Sequence, residues 1–166
     1  MSYAPFRGRQ SPLTPGLIIS PEQIAADLTE IAKTFQCVRT YSVDNGLDRV
    51  PELAAKVGLK VLLGVWIGPN HLKNELLIET AISLARDYPG VITAIIVGNE
   101  LLLRREMTAS DLREIIRSVK ARVNIPVTYA DVWEVWLRNR EVADDVDLVT
   151  VHMLPCLLYT SDAADE

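Results

Sequence analysis

Short apolar runs alternate along the chain with longer stretches in which apolar residues recur every three or four positions. The runs are nearly continuous in Val, Ile and Leu, a pattern typical of strands that are buried on both faces of a parallel sheet. We therefore predict six strands, at residues 3–6, 37–41, 60–66, 91–97, 125–129 and 147–152.

The stretches between these runs have the periodicity of amphipathic helices. Ile24, Leu28, Ile31 and Phe35 fall on one helical face, and the same spacing recurs within residues 47–57, 78–85 and 112–119. Each apolar stripe can pack on a sheet, because its partners on the opposite face are polar. The predicted order is therefore strand–helix repeated along the chain.

Helix boundaries are marked by residues that commonly cap helices. Ser20 precedes Pro21, with Gln23 three residues after the serine, which predicts a capping box with proline at the first helical position. Thr108 has the features of a second helix start. Gly58 lies where a left-handed residue is expected after a helix.

Alternating strands and helices can close in two ways, as an open doubly wound sheet or as a (β/α)8 barrel. A dinucleotide-binding open sheet would need G-x-G-x-x-G after an early strand, and the chain has no such motif. The barrel is favoured, but six predicted strands in 166 residues fall short of the roughly 250 residues of a complete barrel. The predicted fold class is α/β, a (β/α)8 TIM barrel truncated to about six βα units.

Composition excludes several kinds of function. The 17 Lys and Arg residues are scattered and the net charge is −5, so we expect no nucleic-acid partner. The apolar runs are much shorter than the roughly 20 residues of a membrane span, and no signal-peptide pattern opens the chain. His71 and His152 have no carboxylates at ligand spacing, so we predict no metal site.

Polar and aromatic residues gather where the predicted strands end, which is where α/β folds bind ligands. Aromatic rings stack on pyranose rings, while Asn, Asp, Arg and His form hydrogen bonds with hydroxyl groups, so this set resembles a sugar-binding site. A Schiff-base site is disfavoured, because Lys60 lies at the start of its strand. The candidate residues are Arg39, Tyr41, Trp66, Asn99, Glu100, Tyr129, Asp131, Trp133 and His152.

Each candidate has a purely structural alternative that the sequence leaves open. Glu100 could be a solvated loop carboxylate, Asn99 could stabilise a turn, and Asp131 could cap the short helix that follows it. Arg39 could be a buried salt-bridge partner and His152 a core histidine. Packing could explain the three tryptophans, above all Trp136, and a solvated surface could explain the arginine pair at 104 and 105.

Several motifs in order resemble glycoside hydrolase family 17, the β-1,3-glucanase family, and in particular its bacterial members. The Val97-Gly98-Asn99-Glu100 segment carries the resemblance most clearly. Matching segments also occur at residues 2–6, 38–42, 61–66, 127–133 and 147–152, so that the resemblance runs from about Ser2 to Pro155.

This resemblance implies a (β/α)8 barrel that acts on β-1,3-glucan by a retaining mechanism. Glu100 would be the general acid/base, and Asn99 would orient the sugar or the nucleophile. The other residues expected to bind substrate are Tyr3, Arg39, Tyr41, Trp66, Tyr129, Asp131, Trp133 and His152. The resemblance implies no cofactor, a β-glucan partner, and an extracellular or periplasmic location.

The chain departs from the family at its carboxyl end. The family's nucleophile is a second glutamate near the end of a seventh strand, and no seventh strand is predicted here. We interpret residues 1–155 as the N-terminal part of a glycoside hydrolase barrel. Residues 156–166 resemble the adapter-derived endings of truncated reading frames, and we interpret them as a non-native tail.

Three other functions stay open at this point. A glucan transglycosylase would use the same residues with a sugar hydroxyl in place of water. A non-catalytic glucan-binding barrel would keep the aromatic residues and lack one carboxylate. An unrelated phosphate-binding barrel, such as an isomerase, is disfavoured by the aromatic residues and by the missing strand-end lysine.

Overall fold

A computed structural model describes residues 1–153 as a parallel β-sheet flanked by helices. The five strands follow one another across the sheet in chain order, and every neighbouring pair is parallel. They are β1 (Cys37–Arg39), β2 (Lys60–Val65), β3 (Ile92–Asn99), β4 (Val127–Val132) and β5 (Thr150–His152). The helices are α1 (Pro21–Ala32), α2 (Val50–Lys56), α3 (His71–Asp87), α4 (Ala109–Lys120) and α5 (Trp133–Arg138), with short 3-10 helices at Leu47–Arg49 and Arg140–Val142.

The α/β class and the alternation of strands and helices agree with the sequence-based prediction, but the first predicted strand is wrong. Only Ser2 forms a bridge, a parallel one to Arg39 beside β1. The amide of Tyr3 donates to the Arg39 carbonyl over 2.8 Å, and the Arg39 amide donates to the Met1 carbonyl over 2.8 Å. Ladder pairing stops there, and Pro5 further along has no N–H to extend it.

Strand ends also differ from the prediction, and the differences matter for the site. β3 runs to Asn99 instead of ending at 97, and β4 covers Val127–Val132 instead of residues 125–129. Asn99 and Asp131 are therefore strand residues, with backbone positions fixed by the sheet. The predicted tail, 156–166, lies outside the described residues.

The helix boundaries follow the capping residues. The Gln23 amide donates to Ser20 Oγ over 3.2 Å, and the Asp111 amide donates to Thr108 Oγ1 over 3.2 Å, which confirms both predicted starts. Gly58 follows α2 with φ of +75°. The Gln23 side chain does not complete a capping box, because its amide nitrogen donates to the Pro5 carbonyl instead.

The hydrophobic core lies between the sheet and the apolar faces of the helices. Ile24 and Leu28 of α1 and Leu112 and Ile116 of α4 are fully buried, as the helical periodicity predicts. Both faces of β4 are buried along its whole length, which is the pattern expected of a strand covered by helices. No helix within residues 1–153 has the length and apolar character needed to cross a bilayer.

Two aspartates fix the segment that leads into β5. Asp145 accepts hydrogen bonds from Arg113 Nε over 2.5 Å and from Arg117 Nε over 2.7 Å, both on α4. Asp147 Oδ2 accepts from the Val127 amide over 2.8 Å, at the start of β4. These contacts tie β5, and with it His152, to the neighbouring helix and strand.

We expect Asp145→Asn to lower the free energy of unfolding at pH 7 by about 1–2 kcal/mol, because it removes a partly buried charged acceptor. Hydrogen bonds from Arg117 and Arg113 hold the pKa of Asp145 below its usual value. The folded-state pKa is lowered, so this stabilisation is present above about pH 4 and is lost as pH falls through the lowered pKa.

Urea unfolding of the complete protein, with and without the substitution, at pH 7 and at pH 3 measures this effect. The matched control is Asp144→Asn, a change at the exposed neighbouring residue. An equal effect of the two substitutions at pH 7, or a difference that does not shrink on acidification, would contradict the prediction.

Candidate active site

An extra residue in β3 shapes the carboxyl end of the sheet. Ile96 pairs with Thr128, whereas Asn99 pairs with Ala130, so three steps along β3 oppose two along β4. Gly98 lies inside this irregularity with φ of +80°, and a Cβ atom there would lie 2.5 Å from Leu101 Cδ1. Bulges of this kind bend a strand and redirect the side chains that follow. Here they follow as Asn99 and Glu100.

Glu100 has a left-handed backbone conformation with φ of +56°. Such a conformation is unfavourable for a residue with a Cβ and persists where surrounding contacts determine it. The Glu100 amide donates to the Ala130 carbonyl over 2.8 Å, and its carbonyl accepts from the Arg104 amide over 2.9 Å. The turn after β3 is therefore fixed on both sides of Glu100.

Four of the predicted site residues form one chain of hydrogen bonds. His152 Nδ1 lies 2.6 Å from Glu100 Oε1, and His152 Nε2 lies 2.9 Å from Arg39 Nη1. Arg39 Nη2 donates to Asn99 Oδ1 over 2.7 Å. The side chains of His152 and Glu100 are 15% and 25% exposed, so the carboxylate remains open to a ligand.

The arginine determines which ring nitrogen of His152 carries the proton. A guanidinium group has donors and no acceptor, so His152 Nε2 must be the acceptor of the Arg39 hydrogen bond. The proton of the neutral ring then lies on Nδ1, from which it is donated to Glu100 Oε1. This contact fixes one oxygen of the carboxylate and leaves Oε2 free of it.

Arg39 is held without a carboxylate partner in residues 1–153. Its guanidinium carbon lies 4.8 Å from the centre of the Tyr41 ring, a cation–π contact. Its Nε is buried and has no hydrogen-bond partner within the described part of the chain. Burial lowers the pKa of Arg39, while Tyr41 and Glu100 act in the opposite direction. The salt-bridge alternative for Arg39 therefore finds no support among the described residues.

Arg104 is a site residue that the sequence reasoning missed. Its guanidinium lies 4.9 Å from the centre of the Trp66 ring, and its Nη1 lies 4.0 Å from Glu100 Oε2. Glu106 accepts hydrogen bonds of 2.8 Å and 3.0 Å from it and raises its pKa. The solvated-surface interpretation of Arg104 was wrong. Its position four residues after Glu100 was the available signal, since the chain turns there.

Tyr129 and Asp131, predicted to bind substrate, lie beneath the site and not on its surface. Their exposed fractions are 1% and 0%. The Tyr129 hydroxyl donates to Asp131 Oδ2, and burial raises the pKa of this phenol above its ordinary value, so it stays a donor. Asp131 does not cap α5 either, because the N-cap residue is Val132. The sequence could not predict this burial, because strand-end position alone does not reveal on which face of β4 a side chain lies.

A cavity of about 500 Å³ adjoins this cluster and shares Trp66 with it. Tyr3 is 5% exposed, and its hydroxyl donates to Asp27 Oδ2 over 3.1 Å, so the ring and not the hydroxyl is available to a ligand. Trp66 is 40% exposed. The lining is mostly apolar and includes Tyr3, Phe6, Tyr41, Trp66 and Leu77.

The remaining tryptophans have separate environments. Trp133, at the first position of α5, is 42% exposed. Within residues 1–153 no hydrogen bond or ring contact joins it to the Glu100 cluster. Trp136 is buried, as the packing alternative predicts: its ring centre lies 5.7 Å from that of Tyr129, and its Nε1 donates to the Thr150 carbonyl over 3.1 Å.

No group of three or more His, Cys, Asp or Glu side chains in residues 1–153 is arranged to hold a metal ion. The cluster around Glu100 is one carboxylate among hydrogen-bond donors.

The Glu100 carboxyl group can donate or accept a proton at Oε2 while His152 orients the other oxygen.

The sequence matches the family described as "BtgE/BtgC glycoside hydrolase domain" over residues 1–165. It is 29% identical over 163 residues to the "probable beta-glucosidase btgE" of Aspergillus flavus, covering 93% of this chain and 26% of that protein. It is 28% identical over 167 residues to the "glucan endo-1,3-beta-glucosidase btgC" of Emericella nidulans, covering 92% and 26%. The chain thus spans about a quarter of the length of these curated relatives.

Two solved structures have a fold similar to that of this chain, although their sequences differ from it. An endo-laminarinase from Formosa Hel1_33_131 superposes with a TM-score of 0.78 at 18% identity, over 92% of this chain and 49% of the other. A glycoside hydrolase family 17 β-1,3-glucanosyltransferase from Rhizomucor miehei gives 0.75 at 19% identity, over 91% and 58%. These likenesses confirm the α/β class and the curled, half-barrel arrangement of the five parallel strands.

We expect Gly98→Ala to destabilise the protein more than a glycine change that meets no neighbour. Both the positive φ and the contact with Leu101 act against a Cβ atom at this position, and the overpacking contributes about 1–3 kcal/mol. The matched control is Gly8→Ala, where φ is +56° and nothing lies within 4 Å of the added atom. Unfolding free energies of the complete protein measure both changes, and equal losses would show that the close packing at Gly98 has no energetic consequence.

Proposed function

Because the chain belongs to the BtgE/BtgC glycoside hydrolase domain family, we propose that the complete protein cleaves β-1,3-glucan, with Glu100 as the general acid/base of a retaining mechanism. The observation that carries this proposal is the position of the Glu100 carboxylate at the carboxyl end of β3, hydrogen-bonded to His152 and partly exposed. The names of the relatives and structural neighbours support a β-glucan substrate.

The geometry supports different roles for the two carboxyl oxygens of Glu100. The 2.6 Å contact with His152 holds Oε1, so Oε2 is the atom that donates a proton to the leaving glycosidic oxygen. In the second step the same oxygen accepts a proton from water, as a retaining mechanism requires. His152 is in turn held by Arg39, which also binds Asn99, so the carboxylate is oriented by three residues that are themselves mutually fixed.

A second carboxylate must come from outside the described residues. In retaining glycosidases the nucleophile lies about 5–5.5 Å from the acid/base. We propose that residues 1–155 are the N-terminal part of a (β/α)8 barrel, truncated to about six βα units when the segment paired with β1 at Ser2 is counted as the first. A later strand would supply the nucleophile. The exposed apolar residues at the β5 edge, Leu148, Val149 and Val151, support a further strand or helix packed there.

The cavity beside Trp66 is the proposed binding site for a neighbouring sugar. Trp66 and Tyr41 present aromatic surface that can stack on a pyranose ring, and Tyr3 contributes its buried ring to the wall. Trp66 also contacts Arg104, so the same ring connects this cavity with the surroundings of Glu100.

Hydrolysis and transglycosylation share the covalent intermediate and the residues named so far. The structural neighbours include a laminarinase and a glucanosyltransferase, and the fold is common to both. The acceptor, water or a sugar hydroxyl, makes the difference. Analysis of products formed with excess laminari-oligosaccharide separates the two outcomes.

In the complete barrel protein, Glu100→Gln should lower kcat on laminarin about 10²–10⁴-fold, because an amide cannot donate the proton. For aryl glucosides with very acidic leaving groups, the rate of the first step, glycosylation, should fall much less, because these leaving groups need no proton. Glu79→Gln, on α3 in an exposed salt bridge with Arg122, is the control and should leave the rates unchanged. Wild-type rates on laminarin for Glu100→Gln would end the assignment.

Expressed by itself, the 166-residue chain should be poorly soluble or only partly folded, and inactive on β-1,3-glucan. Among residues 1–153, β5 is an edge strand with exposed apolar side chains beside it, an arrangement that favours aggregation. Size-exclusion chromatography and reducing-sugar release from laminarin test both points. Sustained turnover by the purified chain would contradict the proposal that a second carboxylate is required from elsewhere.

A further inference from the structure

We propose that Tyr129 and Asp131 of β4 are positioning residues that hold the Glu100 turn in its reactive conformation from beneath. This inference rests on the proposed function, since it concerns the placement of the acid/base. Neither side chain reaches the surface, with exposed fractions of 1% and 0%. Their role must therefore be exerted through the backbone of the turn that follows Glu100.

Three consecutive residues of β4 bind three residues of the turn. The Ala130 carbonyl accepts from the Glu100 amide over 2.8 Å. The Tyr129 hydroxyl accepts from the Leu102 amide over 3.0 Å, and Asp131 Oδ2 accepts from the Leu103 amide over 3.4 Å. Sheet pairing between β3 and β4 ends at Asn99. Beyond that point, side chains of β4 form the hydrogen bonds with the turn that follows β3.

The hydrogen bonds require a carboxylate at position 131. Every group that faces it is a donor: the Tyr129 hydroxyl and the Leu103 amide at Oδ2, and the Val132 amide over 2.8 Å at Oδ1. An asparagine would turn an NH2 group toward one of these donors. Tyr129 in turn needs its hydroxyl to accept from Leu102 while donating to Asp131.

The turn needs such support because its backbone is unfavourable at two points. Glu100 and Arg105 both carry a side chain and have positive φ, at +56° and +57°. A conformation of this kind persists only where the surroundings over-determine it. Without the Tyr129 hydroxyl, Leu102 loses its buried acceptor, and the turn is free to relax away from the 2.6 Å contact between Glu100 and His152.

The test is Tyr129→Phe in the complete barrel protein, assayed on two classes of aryl β-glucoside. One class has a poor leaving group that needs protonation, and the other has a dinitrophenyl-type leaving group that does not. We expect kcat on the first class to fall about 10–100-fold with KM within about twofold, as for an acid displaced by about 1 Å. The rate of glycosylation from the second class should change by less than about threefold.

Thr128→Val is the matched control, because it removes a buried hydroxyl from the same strand. Thr128 Oγ1 donates to the Leu148 carbonyl over 2.6 Å and makes no contact with the turn after Glu100 among residues 1–153. This variant should lower thermal stability and leave the ratio of the two rates unchanged. Hydrogen exchange at the Leu102 amide adds a readout free of catalysis, and it should accelerate in Tyr129→Phe only.

The outcomes separate this inference from the proposed function. If Glu100→Gln abolishes activity on poor leaving groups and Tyr129→Phe leaves both the rate ratio and Leu102 exchange unchanged, the positioning role is wrong and the acid/base assignment stands. If Tyr129→Phe lowers both classes of rate equally, the hydroxyl has a general structural role and the inference fails. If Glu100→Gln is fully active, the proposed function fails first.

Discussion

The pairing of β3 with β4 is the constraint on which the candidate site depends. One extra residue in β3, between Ile96 and Asn99, changes the direction of the strand at its carboxyl end. Gly98 permits the change, because a side chain there would collide with Leu101. The result is that Asn99 ends the strand, facing Arg39, and Glu100 begins the turn, facing His152. The chemistry of the site is therefore decided by backbone register before any side-chain contact.

The polar residues around Glu100 form a continuous set in which each member limits the freedom of the next. Arg39 donates to Asn99 and to His152, which assigns the proton of His152 to the nitrogen facing Glu100. Arg104 lies on the other side, between Trp66 and the second carboxyl oxygen. The strands that supply these residues, β1, β3 and β5, are not adjacent in sequence, so the site exists only once the parallel sheet has formed.

Much of this arrangement could be predicted from the sequence, and the failures have physical causes. The helix starts at Ser20 and Thr108 follow from local capping chemistry, and Glu100 follows from its place after a buried strand. The burial of Tyr129 and Asp131 could not be predicted in the same way, because a strand-end position does not specify on which face of the strand a side chain lies. Arg104 was missed because the spacing of four residues from Glu100 was the only signal, and the positive φ of Glu100 cannot be predicted from the residue type.

The most direct measurement is a crystal structure of the complete barrel protein carrying Glu100→Gln, with a laminari-oligosaccharide bound across the cleft. We expect a glycosidic oxygen about 2.6–3.2 Å from the side-chain amide of residue 100, with an adjoining sugar ring against Trp66. An oligosaccharide bound at another edge of the sheet, with no glycosidic oxygen near residue 100, would contradict it.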